Sequence, residues 1–447
     1  MKPSIPKGTR DFGPQEVNRR NYLFDTIRRV FVKYGFQPIE TPSMEDLSTL
    51  TGKYGDEGDQ LLFKVLNNGD FLRKADQEAL EAKDSAALVS SISKRGMRYD
   101  LTVPFARFVV MHQNDIPFPF KRYQMQPVWR ADRPQKGRYQ EFVQCDVDVV
   151  GSDSLMNEAE LVQIYDEVFG NLNLPVTIKV NNRKVLAGIA DAAGIADQFM
   201  DMTIAIDKLD KIGMDGVKDE LRKRNISDSA IDTIEQILQV TTLDELKPFF
   251  SDSETGKKGI NELETFHHYF DTYEATNKVL FDVTLARGLN YYTGCIFEVQ
   301  AEGVKMGSIG GGGRYDDLTG VFGMQGTSGV GVSFGFDRIY DCLDELELWP
   351  ADSAERLKLL FLAFDPASHT YAFRCLNKVR AAGINAELYP DPVKMKKQMK
   401  YANNRHAEYV VIIGSNEMTS GQLALKHMAS GEQTEYKLDQ IIEKLNE

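Results

Sequence analysis

The stretch WRADRPQKGRYQEFVQCDVDVVG, Trp129 to Gly151, reads as a strand, a short basic loop and a return strand. Gly137 permits the tight backbone that such a loop needs. The hairpin can aim Arg130 and Arg138 at one bound anion, and guanidinium forks suit phosphate oxygens without any proton transfer. On the return strand Phe142, Gln144, Asp146 and Asp148 alternate in phase, so they share one face. A buried carboxylate and amide beside an aromatic ring are costly as mere core, and this face therefore reads as a ligand surface. An arginine-rich surface loop is the competing reading of the hairpin taken alone.

Strand and helix patterns alternate on both sides of it. Arg19 to Tyr34 reads as an amphipathic helix ended by Gly35, followed by the extended FQPIETPSM with Pro38 and Pro42. Asn67 to Lys94 is charged and Ala/Ser-rich, an exposed excursion, after which RYDLTVPFARFVV resumes a buried pattern. From about Lys184 to His268 the pattern is mainly helical and holds no cluster of chemical interest, as expected of an inserted helical domain. Strands return between Val279 and Val299 and between Val330 and Phe336, the latter running into the helix DRIYDCLDEL. Beyond a polar linker at Glu347 to Glu355, KLLFLAF, INAELYP and YVVIIG read as strands separated by helices, a small α/β domain.

Two further stretches carry chemistry. In TLARGLNYYTGCIFEV, Thr284 to Val299, Arg287 stands in apolar surroundings and requires a partner or a bound anion. Tyr291 and Tyr292 behind it can wall a small polar ligand; a core aromatic pair with a structural ion pair is the plainer reading. In GSIGGGGRYDDLTGVFGMQGTSGVGVSFGFDRI, Gly307 to Ile339, the run Gly310 to Gly313 is expected to destabilise any regular element and to serve close approach of backbone to a ligand. Gly329, Gly331 and Gly335 leave one face of a strand bare, a flat floor for a nucleotide, with Arg338 at its end for phosphate. The order of these glycines fits neither a Walker loop nor a dinucleotide-binding fingerprint.

A chain of 447 residues suggests two to four domains, and its 42% apolar content leaves ample core material. Its longest apolar runs are strand-length, such as Tyr409 to Gly414, and MKPSIPKGTRDFGP lacks the apolar stretch of a signal peptide. Cys145, Cys295, Cys342 and Cys375 form no C-x-x-C pair, so a cytoplasmic location is expected, and His267 and His268 have no partner at metal-ligand spacing. The formal charge of −13 is uneven. From Glu355 onward thirteen Lys and Arg face eleven Asp and Glu, net +2, whereas Pro117 to Gln140 holds six cations and only Asp132, net +5. Such islands suggest localised contact with polyanions.

The chain resembles the histidyl-tRNA synthetases, a family of class II aminoacyl-tRNA synthetases. KYGFQPIETP (Lys33 to Pro42) resembles the first class motif, a dimer-forming helix and strand; Trp129 to Gln144 resembles the second and GVGVSFGFDR (Gly329 to Arg338) the third. RYDLT with RGLNYYT resembles the histidine-specific signature, with Asn290 where the family's commoner wording has Asp. The resemblance implies an α+β catalytic domain with a mostly antiparallel sheet flanked by helices (residues 1–183 with 270–346), a helical insertion (184–269), a linker (347–355) and a C-terminal α/β anticodon-binding domain (356–447). It implies a homodimer, L-histidine, ATP and histidine tRNA as substrates, and Mg²⁺, with no membrane and with the metal's protein ligands unassigned. Residue by residue, it implies that Asp100, Thr102 and Gln144 hold the histidine amino group, and that Asp148 with Tyr291 or Tyr292 reads the imidazole. Arg130 and Arg287 would flank the α-phosphate, Arg130 also reaching the histidine carboxylate. Asp132 and Phe142 would fit adenine, Arg338 the γ-phosphate, and Arg138 the ATP site from the loop. A non-catalytic relative, the regulatory subunit of ATP phosphoribosyltransferase, lacks the C-terminal module and tends to lose these arginines; both are present here.

Overall fold

The structure is a computed structural model that describes residues 2–51, 61–286, 292–350 and 357–446. The chain divides into two units, Met1–Pro350 and Ala351–Glu447.

The described strands of the first unit are β1 (Gln37–Pro38), β2 (Met44–Asp46), β3 (Lys64–Val65), β4 (Arg95–Met97), β5 (Phe120–Trp129), β6 (Glu141–Val150), β7 (Val176–Asn182), β8 (Lys278–Phe281), β9 (Cys295–Ala301), β10 (Gly310–Tyr315) and β11 (Gly329–Gly335). Eight of them form one sheet in the order β1-β5-β6-β11-β10-β9-β7-β8, and β2-β4-β3 form a small separate sheet. Only the outermost pairs of the large sheet, β1 with β5 and β7 with β8, are parallel. The inner strands pair antiparallel.

Period-two patterning explains the central strand. Val143, Cys145, Val147 and Val149 of β6 point into the core, which leaves Phe142, Gln144, Asp146 and Asp148 on the opposite face. The core face is covered by the helix Pro14–Lys33, which begins on a proline, and by the helix Met156–Asn171. Phe31 and Phe169 from these helices lie 5.6 and 5.7 Å, ring to ring, from Phe334 of β11. The helices between Arg183 and Phe270 continue this core: Leu186, Ile189, Leu263 and Phe266 join the same buried cluster as Val147, Ile178 and Phe297 of the sheet. In the charged excursion the short helices Gln77–Glu81 and Ser85–Ile92 are each opened by an aspartate cap, Asp76 accepting from the Ala79 N–H and Asp84 from those of Ala86 and Ala87.

The second unit has strands β12 (Leu359–Ala363), β13 (Ala386–Leu388), β14 (Tyr409–Ile413), β15 (Leu423–His427) and β16 (Gln433–Tyr436) in the order β13-β12-β14-β15-β16. Every residue of β12 is buried, because apolar side chains pack on both faces of the sheet: Phe361, Leu376, Val411 and Ile441 on one, Leu360, Leu362, Ala402 and Val410 on the other. Among the described residues no helix is long and apolar enough to cross a membrane.

Candidate active site

The polar face of the large sheet is built by register. Arg122, Gln124 and Gln126 of β5 stand opposite Asp148, Asp146 and Gln144 of β6. On the other side of β6 the same three residues meet Gly331, Ser333 and Gly335 of β11. The expected bare floor of glycines is only partly there. A Cβ on Gly331 would lie 1.9 Å from Asp148 Oδ1, and one on Gly329 would lie 2.3 Å from the Tyr315 ring. These glycines make room for a carboxylate and a phenol from neighbouring strands. The run Gly310 to Gly313, expected to break regular structure, is instead strand, paired with β9 on one edge and β11 on the other. Pairing on both edges outweighs the low strand propensity of glycine.

A cavity of about 340 Å³ opens over this face. Arg130, Asp132, Arg138, Phe142, Gln144 and Arg338 all line it, together with Ser308 to Gly311 and Asp337. Two of the three arginines are held by backbone carbonyls. Arg130 donates Nε–H to the Tyr99 carbonyl (2.9 Å), with its guanidinium carbon 5.1 Å from the Phe142 ring centre. Arg338 donates to the carbonyls of Gly137 (2.7 Å) and Ser308 (2.6 Å). The hairpin turn closes through reciprocal Gln135 and Arg138 backbone bonds, with Gly137 at φ +69°. Asp337 is taken up by structure, accepting from Arg10 (2.5 Å), Arg20 (2.6 Å) and the Val143 N–H (2.8 Å).

A smaller recess of about 20 Å³ adjoins the cavity, for Gly311 and Ser333 line both. Its other walls are Thr102, Asp146, Asp148, Tyr292, Tyr315, Gly331 and Val332. Asp148 accepts from the Tyr315 hydroxyl (2.7 Å) at Oδ1, and its Oδ2 lies 2.9 Å from Nη2 of Arg122, a fully buried arginine stacked 3.9 Å over the Phe105 ring. Burial pushes the Asp148 carboxyl up, while Arg122 and Tyr315 oppose the rise. Asp100 does not line the recess; its Oδ1 accepts the Val103 N–H (3.2 Å) at the start of the helix Thr102–Met111. Arg287 and Tyr291, with Asn290, lie outside the described residues.

Three of the six cations in the basic window are spent within the fold. Arg122 faces Asp148, Lys121 pairs with Glu160 (2.7 Å), and Lys136 with Glu345 (2.7 Å). Charge counting along a linear window missed these pairs because their acids lie elsewhere in the chain. Arg122 and Tyr315 are site residues that the reading of motifs missed. For Arg122 a signal existed: in KRYQMQ, Arg122, Gln124 and Gln126 alternate in phase, as a polar strand face does. Tyr315 follows the glycine run and carries no such signal. Among the described residues no group of three or more His, Cys, Asp or Glu side chains could hold a metal ion.

Residues 69–339 match the family model of histidyl-tRNA synthetase, and residues 359–447 that of the anticodon binding domain. A histidine-tRNA ligase of Christiangramia forsetii is 58% identical over 442 residues, 97% of either chain. One from Bacteroides fragilis is 56% identical over 446 residues, covering 99% of this chain and 98% of its own. Among solved structures, the histidyl-tRNA synthetase of Nostoc sp. PCC 7120 superposes with a TM-score of 0.84 at 31% identity, covering 100% of this chain and 99% of that one.

Proposed function

Because the chain belongs to the histidyl-tRNA synthetase family, we propose that its two adjoining cavities divide the small substrates, ATP taking the larger and histidine the smaller. The reaction is the ATP-dependent attachment of L-histidine to the 3′ end of its tRNA through a histidyl-adenylate, with AMP and diphosphate released. The observation that carries the division is the arrangement of arginines around the 340 Å³ cavity and of carboxylates around the recess joined to it.

The histidine carboxylate attacks the α-phosphorus in line, so two anions must be held together while charge builds on the transferring group. Arg130, fixed through its Nε on the Tyr99 carbonyl, presents its guanidinium at the cavity wall. It is proposed to bridge the two anions, with Arg287 acting from the opposite side. Asp132 and Phe142 are proposed to seat adenine, and Arg138 and Arg338 the outer phosphates. Preorganised cations of this kind lower the barrier without a general base. Asp100, Thr102 and Gln144 are proposed at the amino group, with Asp148 and Tyr291 or Tyr292 at the imidazole.

The residues present suit Mg²⁺ held chiefly by ATP. Of the two carboxylates lining the cavity, Asp337 has its oxygens occupied by Arg10, Arg20 and Val143. The other, Asp132, is proposed at adenine, so the phosphates and water would supply the ligands of an ion that keeps several waters. When bound, Mg²⁺ would neutralise charge on the phosphates.

The same reading extends to organisation. Residues 1–183 with 270–346 form the catalytic domain, 184–269 the insertion, 347–355 the linker and 356–447 the domain that binds the anticodon of histidine tRNA. A homodimer is proposed through the segment Lys33 to Pro42, which contains the edge strand β1 and has exposed Val32 and Met44 near its two ends. The four buried thiols fit a cytoplasmic protein.

Exchange of labelled pyrophosphate into ATP, run with each of the twenty amino acids, tests the assignment. Histidine alone should drive exchange; a response to another amino acid, or to none, overturns it.

A further inference from the structure

A third hollow, of about 450 Å³, adjoins the larger cavity. Gly137, Arg138, Ser308 and Arg338 line both, whereas the recess meets the larger cavity at Gly311 and Ser333 and shares no lining residue with the third hollow. The three therefore stand in a row with the larger cavity in the middle. The doorway between it and the third hollow is firmly built: Arg338 donates to the carbonyls of Gly137 and Ser308, and a Cβ on Gly137 would lie 2.7 Å from the Met306 sulfur. Beyond the doorway the lining is basic, with Lys136, Arg138, Lys211 and Arg338 facing a single carboxylate, Asp207. Glu345 takes up Lys136 (2.7 Å), and neither Arg138 nor Lys211 belongs to an ion pair among the described residues. Lys211 comes from a distant part of the chain. It is an exposed residue on the first turn of the helix Leu209–Lys223, a turn that Gly213 (φ +68°) sets apart from the rest.

The reaction gives that row a direction. A histidine carboxylate oxygen forms a bond to the α-phosphorus, and the bond from that phosphorus to the oxygen bridging the α- and β-phosphates breaks. The electron pair of the broken bond leaves with diphosphate, and no proton changes place. In-line displacement puts the entering and leaving oxygens on opposite sides of the phosphorus. With histidine entering from the recess, diphosphate departs at the far end of the row, past Arg138 and Arg338. We propose that the third hollow receives the diphosphate product and that Lys211, from the helices between Arg183 and Phe270, is a ligand of it there. Charge-assisted hydrogen bonds to phosphate oxygens suit an ammonium with no other partner. Lying past the doorway, Lys211 acts on the freed diphosphate, and in the reverse direction on the diphosphate that attacks the adenylate.

The inference rests on ATP occupying the larger cavity and histidine the recess, and the experiment separates the two claims. Pyrophosphate exchange by the full-length protein is measured as a function of inorganic pyrophosphate, histidine and ATP, for wild type and for Lys211→Ala, Lys211→Arg and Lys211→Glu. Lys211→Ala should raise the pyrophosphate KM about tenfold, the lower end for a hydrogen bond to a charged group because the lysine is exposed. The histidine and ATP KM values should stay unchanged. Lys211→Arg keeps the charge and should remain near wild type, while Lys211→Glu should exceed the effect of alanine. A pyrophosphate KM that stays fixed in Lys211→Ala and Lys211→Glu overturns the proposal; if the KM for histidine tRNA rises in its place, the hollow receives the end of the tRNA. Equal weakening of all three substrates also overturns it, since Lys211 would then only hold its helix in place. Wild-type protein unable to exchange with histidine would instead overturn the placement of ATP and histidine.

Discussion

Burial pushes the Asp146 carboxyl up to about 7; Arg122 opposes the rise, and Asp148 and Asp100 add to it. In the unfolded chain the same group titrates near 3.9. Between about pH 4 and about pH 7 the native state therefore holds a proton that the unfolded state has lost, and stability drains away as pH rises through that window. Asparagine at this position carries no such linkage. The Asp146→Asn variant should melt close to wild type at about pH 4 and above it at about pH 8, with a stability gain of up to about 4 kcal/mol. Equal melting temperatures across that range would show that burial of this charge costs nothing. Alternation along β6 shows that Asp146 shares a face with Gln144 and Asp148, and so much was legible in the residues. That Asp148 meets Tyr315 and Arg122 was not, because Tyr315 lies far away in sequence and Arg122 on the neighbouring strand.

Elements are joined to the site in the same way, through single buried groups. The helix Phe336–Glu345 leaves β11 directly, and its second residue, Asp337, accepts from Arg10 in the N-terminal segment, Arg20 in the first helix and the Val143 N–H of β6. One carboxylate thus ties three elements to the helix that carries Arg338. Asp337→Asn keeps the shape and removes the charge facing two largely buried guanidinium groups. Breaking a buried pair costs about 3–5 kcal/mol, so the urea midpoint should fall markedly and the KM for ATP should rise with it. An unchanged midpoint would mean that the two arginines find other partners. Helix and strand periods and the Gly35 that closes the first helix were readable from sequence, whereas the opening of that helix at Pro14, five residues before Arg19, was not. The glycine strand β10 was not, since its stability comes from two paired neighbours and from the Tyr165 and Tyr292 rings against Gly310 and Gly313. The helices between Arg183 and Phe270 likewise look separate in pattern and yet share the buried cluster of the sheet. A polar periodicity says which face is buried and leaves open against what.

At the scale of the whole molecule, charge and division into units meet. The net −13 is spread over a first unit whose basic window is half neutralised by internal pairs and a second unit that is mildly basic. The cations left to the cavity and its loop, Arg130, Arg138 and Arg338 at the wall and Arg133 in the hairpin, suit a substrate phosphate or the end of a tRNA better than a long stretch of duplex. Each unit also has hydrophobic clusters of its own. A chain ending at Pro350 should therefore keep histidine-dependent pyrophosphate exchange within a few-fold and lose most tRNA charging, because the residues proposed to hold ATP and histidine all lie in the first unit. Salt supplies the second arm of the test. Every phosphate neutralised adds about −0.7 to −0.9 to the slope of log affinity against log salt, so the tRNA KM of the full chain should climb steeply with salt. The histidine KM, with the substrate proposed to sit in a buried recess, should hardly move. If exchange and charging fall together when the second unit is removed, the second unit stabilises the first rather than holding tRNA. If both KM values respond alike to salt, recognition of tRNA does not run through phosphate contacts at these basic points.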